Sequence, residues 1–216
     1  MNKLLLPLVL LFVSLTCFGQ ATHEEMKEWR QAAEQGDAQA QMNLGLAYDF
    51  GNSVPEDDTE AVKWYRKAAE QGYATAQYNL GVMYDFGNGV PEDDVEAVTW
   101  YRKAAEQGHA QAQFNLGVMY DFGNGVPEDD VEAVTWYRKA AEQGFANAQC
   151  NLAFMYATGS GAPEDNVFAY MWWNQAAAQG TEEAKQNKGI LSKQMTKEQI
   201  AEGQKLSREW LAKRSK

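Results

Sequence analysis

Residues 73–108, YATAQYNLGVMYDFGNGVPEDDVEAVTWYRKAAEQG, decide the fold, because the same 36-residue string returns at 109–144 with three changes. Tyr73 becomes His109, Thr75 becomes Gln111 and Tyr78 becomes Phe114. Looser copies fill 37–72 and 145–180, so the closing Gln-Gly recurs at Gly36, Gly72, Gly108, Gly144 and Gly180. A period of this length marks supersecondary units that bury their apolar faces only by stacking on one another. A fragment, 24–36, precedes the four units and matches the second half of one through Trp29, Ala32, Ala33 and Gly36. A divergent tail, 181–216, follows.

Within 73–108 the apolar spacing is helical twice. Tyr73, Ala76, Gln77, Leu80, Met83 and Tyr84 make one face of a first helix, A, which Gly87-Asn88-Gly89 ends. Helix B opens at Val90-Pro91-Glu92-Asp93 and buries Ala97, Val98, Trp100, Tyr101, Ala104 and Ala105 before Gly108 stops it. Asp93 followed by Glu96 predicts an acidic capping box, repeated as Asp57/Glu60 and Asp129/Glu132; Asp165 keeps the cap while Phe168 replaces the glutamate. The alanines and Gly81 remove volume where two helices must approach closely. In the tail, Thr196 with Gln199 predicts another capping box, opening a helix whose apolar residues are Ile200, Leu206, Trp210 and Leu211. Such a helix would cover the last unit, since an uncapped end leaves an apolar face in water. Its basic finish, Arg208, Lys213, Arg214 and Lys216, suits a helix C-terminus. The expected class is an all-α solenoid of helix-turn-helix units with a C-terminal capping helix.

Composition narrows the function. The chain of 216 residues is 45% hydrophobic and 23% charged, which places it outside the disordered regime. With 19 basic and 30 acidic residues its net charge is −11, so nucleic acid and anionic membrane surfaces are expected to be repelled. Two histidines, His23 and His109, are too few for a His-based metal cluster, and neither a metal nor a cofactor is expected. Lys3, the apolar run Leu4 to Val13 and small or polar residues through Ala21 predict a removable export signal over 1–21, cleaved after Gly19 or Ala21. That run is too short to span a bilayer. A periplasmic or secreted monomer over 22–216, with no membrane span, follows. Lipid anchoring at Cys17 is disfavoured: Leu15 lies one place too close to the cysteine and branched Thr16 precedes it. Without Cys17, Cys150 has no internal partner.

The recurring set Ala76, Leu80, Gly81, Tyr84, Gly87, Gly89, Val90, Asp93, Ala97, Trp100, Ala104, Ala105 and Gly108 resembles the Sel-one-like repeat (SLR), a relative of the tetratricopeptide repeat, and the resemblance runs over 24–190. Ser53 in place of the second loop glycine and Ala153 in place of the helix A glycine are its departures. The resemblance implies a right-handed α/α solenoid, and exported bacterial members that mostly serve as protein-binding adaptors. A secreted, cysteine-rich branch is associated with penicillin binding and β-lactamase activity. That branch has a cysteine pair in each repeat, absent here, and Ser192 is followed by Lys193, Gln194 and Met195 rather than a Ser-x-x-Lys pattern. A β-lactamase-like or cell-wall-binding protein of this branch and a secreted factor acting on another cell are the alternatives to an adaptor.

Other motifs yield to simpler readings. Asp-Phe-Gly at Asp49, Asp85 and Asp121 ends helix A once per unit and has no other kinase element beside it. The acidic loops, such as 121–130, lack EF-hand spacing, so helix capping and solvation explain them. Cys150 and His109 are the only conceivable nucleophile and base, but helical phase sets their positions roughly 140° apart. No catalytic residue is expected.

The face of helix A opposite its buried one is where a partner is expected. In the tetratricopeptide fold that face lines a concave groove. Its third, sixth, tenth, thirteenth and fourteenth positions hold an apolar ladder beside a row of aspartates: Met42; Tyr78, Val82, Asp85 and Phe86; Phe114, Val118, Asp121 and Phe122; and Phe154. The sixth position, Met42, Tyr78 and Phe114, is the expected anchor, and basic or amphipathic protein segments are the expected ligand.

Overall fold

The computed structural model describes residues 21–214; the export-signal and Cys17 readings lie outside the described residues. The described residues form eleven α-helices and no strand: α1 His23–Glu34, α2 Ala38–Asp49, α3 Asp58–Glu70, α4 Ala74–Phe86, α5 Asp94–Glu106, α6 Ala110–Phe122, α7 Asp130–Glu142, α8 Ala146–Thr158, α9 Asn166–Ala178, α10 Glu182–Leu191 and α11 Lys197–Arg214. Even-numbered α2 to α8 are the A helices and odd-numbered α3 to α9 the B helices of the four units. Each packs on its chain neighbours, giving an all-α solenoid.

Each hairpin is locked by one small residue against one aromatic. A Cβ added to Gly81 would stand 2.7 Å from Cδ1 of Tyr101, so only glycine lets the fully buried ring lie across α4. Leu44, Leu80, Leu116 and Leu152 are likewise fully buried, one per unit. Burial of a leucine side chain is worth about 2 kcal/mol, and the register repeats that contribution along the chain.

Recurrent glutamines join unit to unit. Buried Gln77 donates its amide to Ala69 O at 3.0 Å and accepts from Gln107, the glutamine of the next Gln-Gly, at 2.7 Å. Gln41/Gln71, Gln113/Gln143 and Gln149/Gln179 repeat the pairing. Buried amides must be paired, so the dipeptide carries a glutamine as well as a glycine.

The caps refine the expected pattern. Asp57, Asp93, Asp129 and Asp165 accept from first-turn amides of their helices. The reciprocal glutamate arm does not form, because the backbone N–H of Asp93 already donates to Tyr84 O at 2.9 Å, as those of Asp57, Asp129 and Asp165 do to Tyr48, Tyr120 and Tyr156. Glu60 pairs instead with Lys63 at 2.5 Å. True boxes form at Thr22/Glu25, which the sequence reading missed, and at Thr196/Gln199, which it expected.

Ser53 occupies the second loop position at φ +64°, where the other units have glycine. A Cβ on Gly89 would collide with the backbone of Asp58 in the preceding unit. In the first unit the Ser53 hydroxyl bonds the carbonyl of Ala21 at the equivalent junction.

The tail corrects one expectation. Leu211 is exposed and Ile200, Leu206 and Trp210 are half-buried, whereas Gly203 and Ser207 are buried. Helix α11 lies against α9 through small residues: Ser207 O accepts from Gln175 at 2.8 Å, and Gly203 sits beneath Tyr170. Close backbone approach is joined by the expected apolar packing: Ile200, Leu206 and Trp210 lie against the core of the fourth unit, Trp210 edge-on to Trp172 at 5.7 Å, and only Leu211 departs from the reading. Arg214 donates to Gln143 O at 2.8 Å, satisfying the C-terminal end of α7.

Candidate partner-binding face

The expected contact residues divide by depth. Met42 is 3% exposed and Tyr78 8%, so the sixth position is core in the first two units. Tyr78 stacks on His109 at 4.8 Å and tilts against Tyr101 at 5.9 Å; Phe114, half-buried, tilts against Tyr137 and Phe145. An aromatic there fills the junction between one hairpin and the start of the next A helix, so these residues offer no free face as anchors. Val82 and Val118, half-buried, pack against the clusters of the same junctions.

The fourteenth position behaves in the opposite way. Phe50, Phe86 and Phe122 end their A helices 58%, 62% and 62% exposed, one per unit, and Phe154 at the tenth position is 54% exposed. Asp121, Phe122 and Phe154 line one cleft of about 220 Å³ together with Cys150, Asn151 and Glu183.

The aspartates are partly buried and engaged. Asp49, Asp85 and Asp121 accept the hydroxyls of Tyr65, Tyr101 and Tyr137 at 2.8, 2.9 and 2.9 Å. Those tyrosines also meet Asn79, Asn115 and Asn151 of the following unit. Burial pushes the Asp49 carboxyl up to about 6 and that of Asp121 upward, against the lowering effect of the tyrosine hydrogen bonds. The row therefore ties helix A of each unit to its own helix B rather than standing free. The asparagines recur at fixed register too, and that recurrence was the signal the sequence reading passed over; Glu183, in the divergent tail, carried none.

Cys150 is buried and its thiol is pushed up to about 11, chiefly by burial. A thiol held protonated is a poor nucleophile. His109 caps α6, its Nδ1 accepting from Ala112 N at 3.3 Å, and burial lowers its pKa. Its side chain is committed to structure. No helix among the described residues is long and apolar enough to cross a membrane.

Known proteins share this architecture. The family model for the Sel1 repeat matches 38–73, 74–109, 110–145 and 146–181. A Sel1 repeat protein from Oxalobacter formigenes is 39% identical, with a TM-score of 0.72, over 88% of this chain and 75% of that one. A protective antigen of uropathogenic Escherichia coli with an SLR fold is 32% identical, with a TM-score of 0.56, over 88% of this chain and 48% of that one, so this chain spans about half its length. No curated protein matches. Sel1 repeat proteins are in general protein-interaction scaffolds rather than enzymes. Four matched repeats, with a solved relative of this identity and coverage, place the chain in the Sel1 repeat family.

Proposed function

We propose that this chain is an exported scaffold that holds a peptide or protein segment along the exposed ends of its A helices. The observation that carries the reading is the row Phe50, Phe86 and Phe122, joined by Phe154. Phenylalanines left in water at fixed register forgo a burial worth about 2 kcal/mol each, and a partner recovers it. The overall charge of −11 favours a basic or basic-amphipathic segment. The apolar row supplies most of the contact, because the aspartates beside it are tied to tyrosines.

The test is capture from an envelope extract by the protein and by the triple variant Phe86→Ala/Phe122→Ala/Phe154→Ala. The variant is expected to keep its melting temperature and lose the partner. A matched control, Val95→Ala/Val131→Ala, removes exposed apolar residues of the B helices and is expected to keep it. Capture unchanged by the triple variant removes the row from the mechanism, and nitrocefin turnover by the pure protein would replace the scaffold reading with an enzymatic one. Export is tested by fractionation with and without residues 1–21.

A further inference from the structure

Each of the four A helices is closed by the B helix that follows it, and the two ends of the described solenoid each hold one half of such a pair. Helix α1 is a B helix by register: Trp29, Ala32 and Gly36 stand where Tyr101, Ala104 and Gly108 stand in the second unit, and Glu25 where Ala97 does. It packs on α2 as α3 packs on α4, but no A helix of its own precedes it among the described residues. Helix α10 is the converse, an A helix by register that packs on α9. The helix that follows it, α11, lies along α9 instead and reaches back to the end of α7 through Arg214.

The side chains record the missing halves. Ala97, Tyr101 and Ala104 are fully buried, whereas at the same places in α1 Glu25 is exposed and Trp29 and Ala32 are half-buried. On α10, Gly189 holds the register of Gly45, Gly81 and Gly117. Each of those three lies under a helix B tyrosine that a Cβ would strike, but a Cβ on Gly189 meets nothing within 4 Å. Beside it, Ile190 is 58% exposed at the position where Val82 packs against the cluster around Tyr101. Unit four, with Trp173 in the tyrosine's place, shows that an indole fits there.

Charge complementarity selects the occupant. Within the units the thirteenth residue of helix A is an aspartate facing the acidic start of its own helix B, Asp49 by Asp58 and Asp121 by Asp130. The same register at the end of α10 is Lys193, and the first turn of α1 carries Glu24 and Glu25, so the two ends bring opposite charges together. Residues 181–216 hold nine basic and five acidic side chains, a net +4 in a chain of −11. We propose that the protein associates head to tail with further copies of itself, α1 of one copy docking on α10 of the next as its missing helix B, with Trp29 over Gly189 and Glu25 beside Lys193. The complement of each end is the other end, so the contact propagates into short rods rather than closing a two-fold dimer. A single helix-on-helix face falls below the roughly 1,200 Å² of a standard stable interface, which makes the association weak and reversible. This replaces the monomer expected from the sequence and does not rest on the scaffold reading.

The experiment is sedimentation velocity, from micromolar to millimolar concentration, on the full chain as its expressing cell processes it. The average mass is expected to climb with concentration and to fall back as salt rises. Gly189→Gln fills the open slot with a good helix former, so it is expected to melt no lower than the parent while weakening association about tenfold. Glu25→Lys and Lys193→Glu are each expected to weaken it several-fold, and the two together in one chain to restore it, because head and tail then exchange charges. A chain that stays monomeric throughout, or oligomers untouched by Gly189→Gln, overturns the proposal. So do oligomers that survive Gly189→Gln but are lost in Phe86→Ala/Phe122→Ala, which would set self-association on the exposed row. Failure of the double reversal to restore association overturns the pairing of Glu25 with Lys193.

Discussion

Units three and four are the same hairpin built around different aromatics. In unit three, Gly117 lies under the ring of Tyr137, Phe114 tilts on that ring at 5.9 Å, and Asp121 takes its hydroxyl. In unit four the same positions hold Ala153, Trp173, Cys150 and Ala157. The larger indole meets a smaller sixth residue, the helix A glycine is no longer required, and the carboxylate with no hydroxyl to hold is gone. Substitutions in a repeat thus travel as sets fixed by contact, since close-packed interiors tolerate exchange of volume better than its loss. The first three units tie helix A to helix B through an aspartate–tyrosine bond; the fourth closes the same gap by apolar packing alone.

The largest expected effect sets the sixth position of one unit against that of another. Tyr78→Ala opens a cavity between Tyr101 and His109 and is expected to cost about 3 to 5 kcal/mol, whereas Cys150→Ala, deleting one sulfur, is expected to cost about 1 kcal/mol. Denaturant midpoints of the two variants measure both. A Tyr78→Ala protein as stable as the parent would return that residue to the surface and make it a contact residue again.

A smaller effect isolates the glycine. An alanine at Gly117 places its Cβ 2.6 Å from Cδ1 of Tyr137 and is expected to cost about 1 to 3 kcal/mol by overpacking. Ala153→Gly has no ring to relieve, and its expected cost of about 1 kcal/mol is that of glycine in a helix. Adding Tyr137→Trp, Phe114→Cys and Asp121→Ala to Gly117→Ala transplants the fourth unit's set and is expected to recover part of the loss by thermal melting. No recovery would mean the four positions are independent.

The third expectation concerns pH, because unit four has no counterpart of the buried aspartates. The Asp49 carboxyl sits at about 6 in the folded chain, above its ordinary value near 4. The native state therefore holds this proton more tightly than the unfolded chain, unfolding releases it, and stability falls as pH rises from about 4 to 6. Relative to Asp49→Asn, the parent is expected to be about 1 to 2 kcal/mol less stable at pH 7 than at pH 4.5, after discounting for the solvent that reaches the group. Parallel melting of parent and variant at the two values checks it, and equal differences at both would deny the burial cost.

Much of this architecture is legible in the residues because the repeat multiplies every signal. Gly81 recurs at fixed distance from Tyr101, and Gln77 from Gln107, so close approach and period were readable before any coordinates. Depth at the sixth position was not. A helical wheel treats one helix and one partner, but Tyr78 of α4 is covered both by Tyr101 of its own helix B and by His109 at the start of the next A helix, the latter from a side the wheel calls solvent. Only the helix end, where Phe86 and Phe122 project beyond both neighbours, escapes it. The tail was half legible: Ile200, Leu206 and Trp210 pack on the fourth unit as read, but the buried Gly203 and Ser207 of α11 make a close backbone contact that carries no apolar signal.

The smallest stability effect is also the most discriminating for function. Phe122 and Phe154 come from units three and four and flank one cleft, yet each is more than half exposed, at 62% and 54%. Truncating either removes little buried area, so each alanine variant is expected to melt within about 0.5 kcal/mol of the parent, as surface substitutions do. Interface anchors behave differently, and loss of one typically costs a complex about 2 kcal/mol or more, near thirtyfold in affinity. If the two residues grip one segment between them, their losses share a partner group, and the double variant is expected to lose less than the sum of the singles. Additive losses would place them on separate parts of the ligand. Loss of stability in either single variant, measured by denaturant midpoint, would show that the exposed row is structural after all, and the bound segment would then have to be sought away from the ends of the A helices.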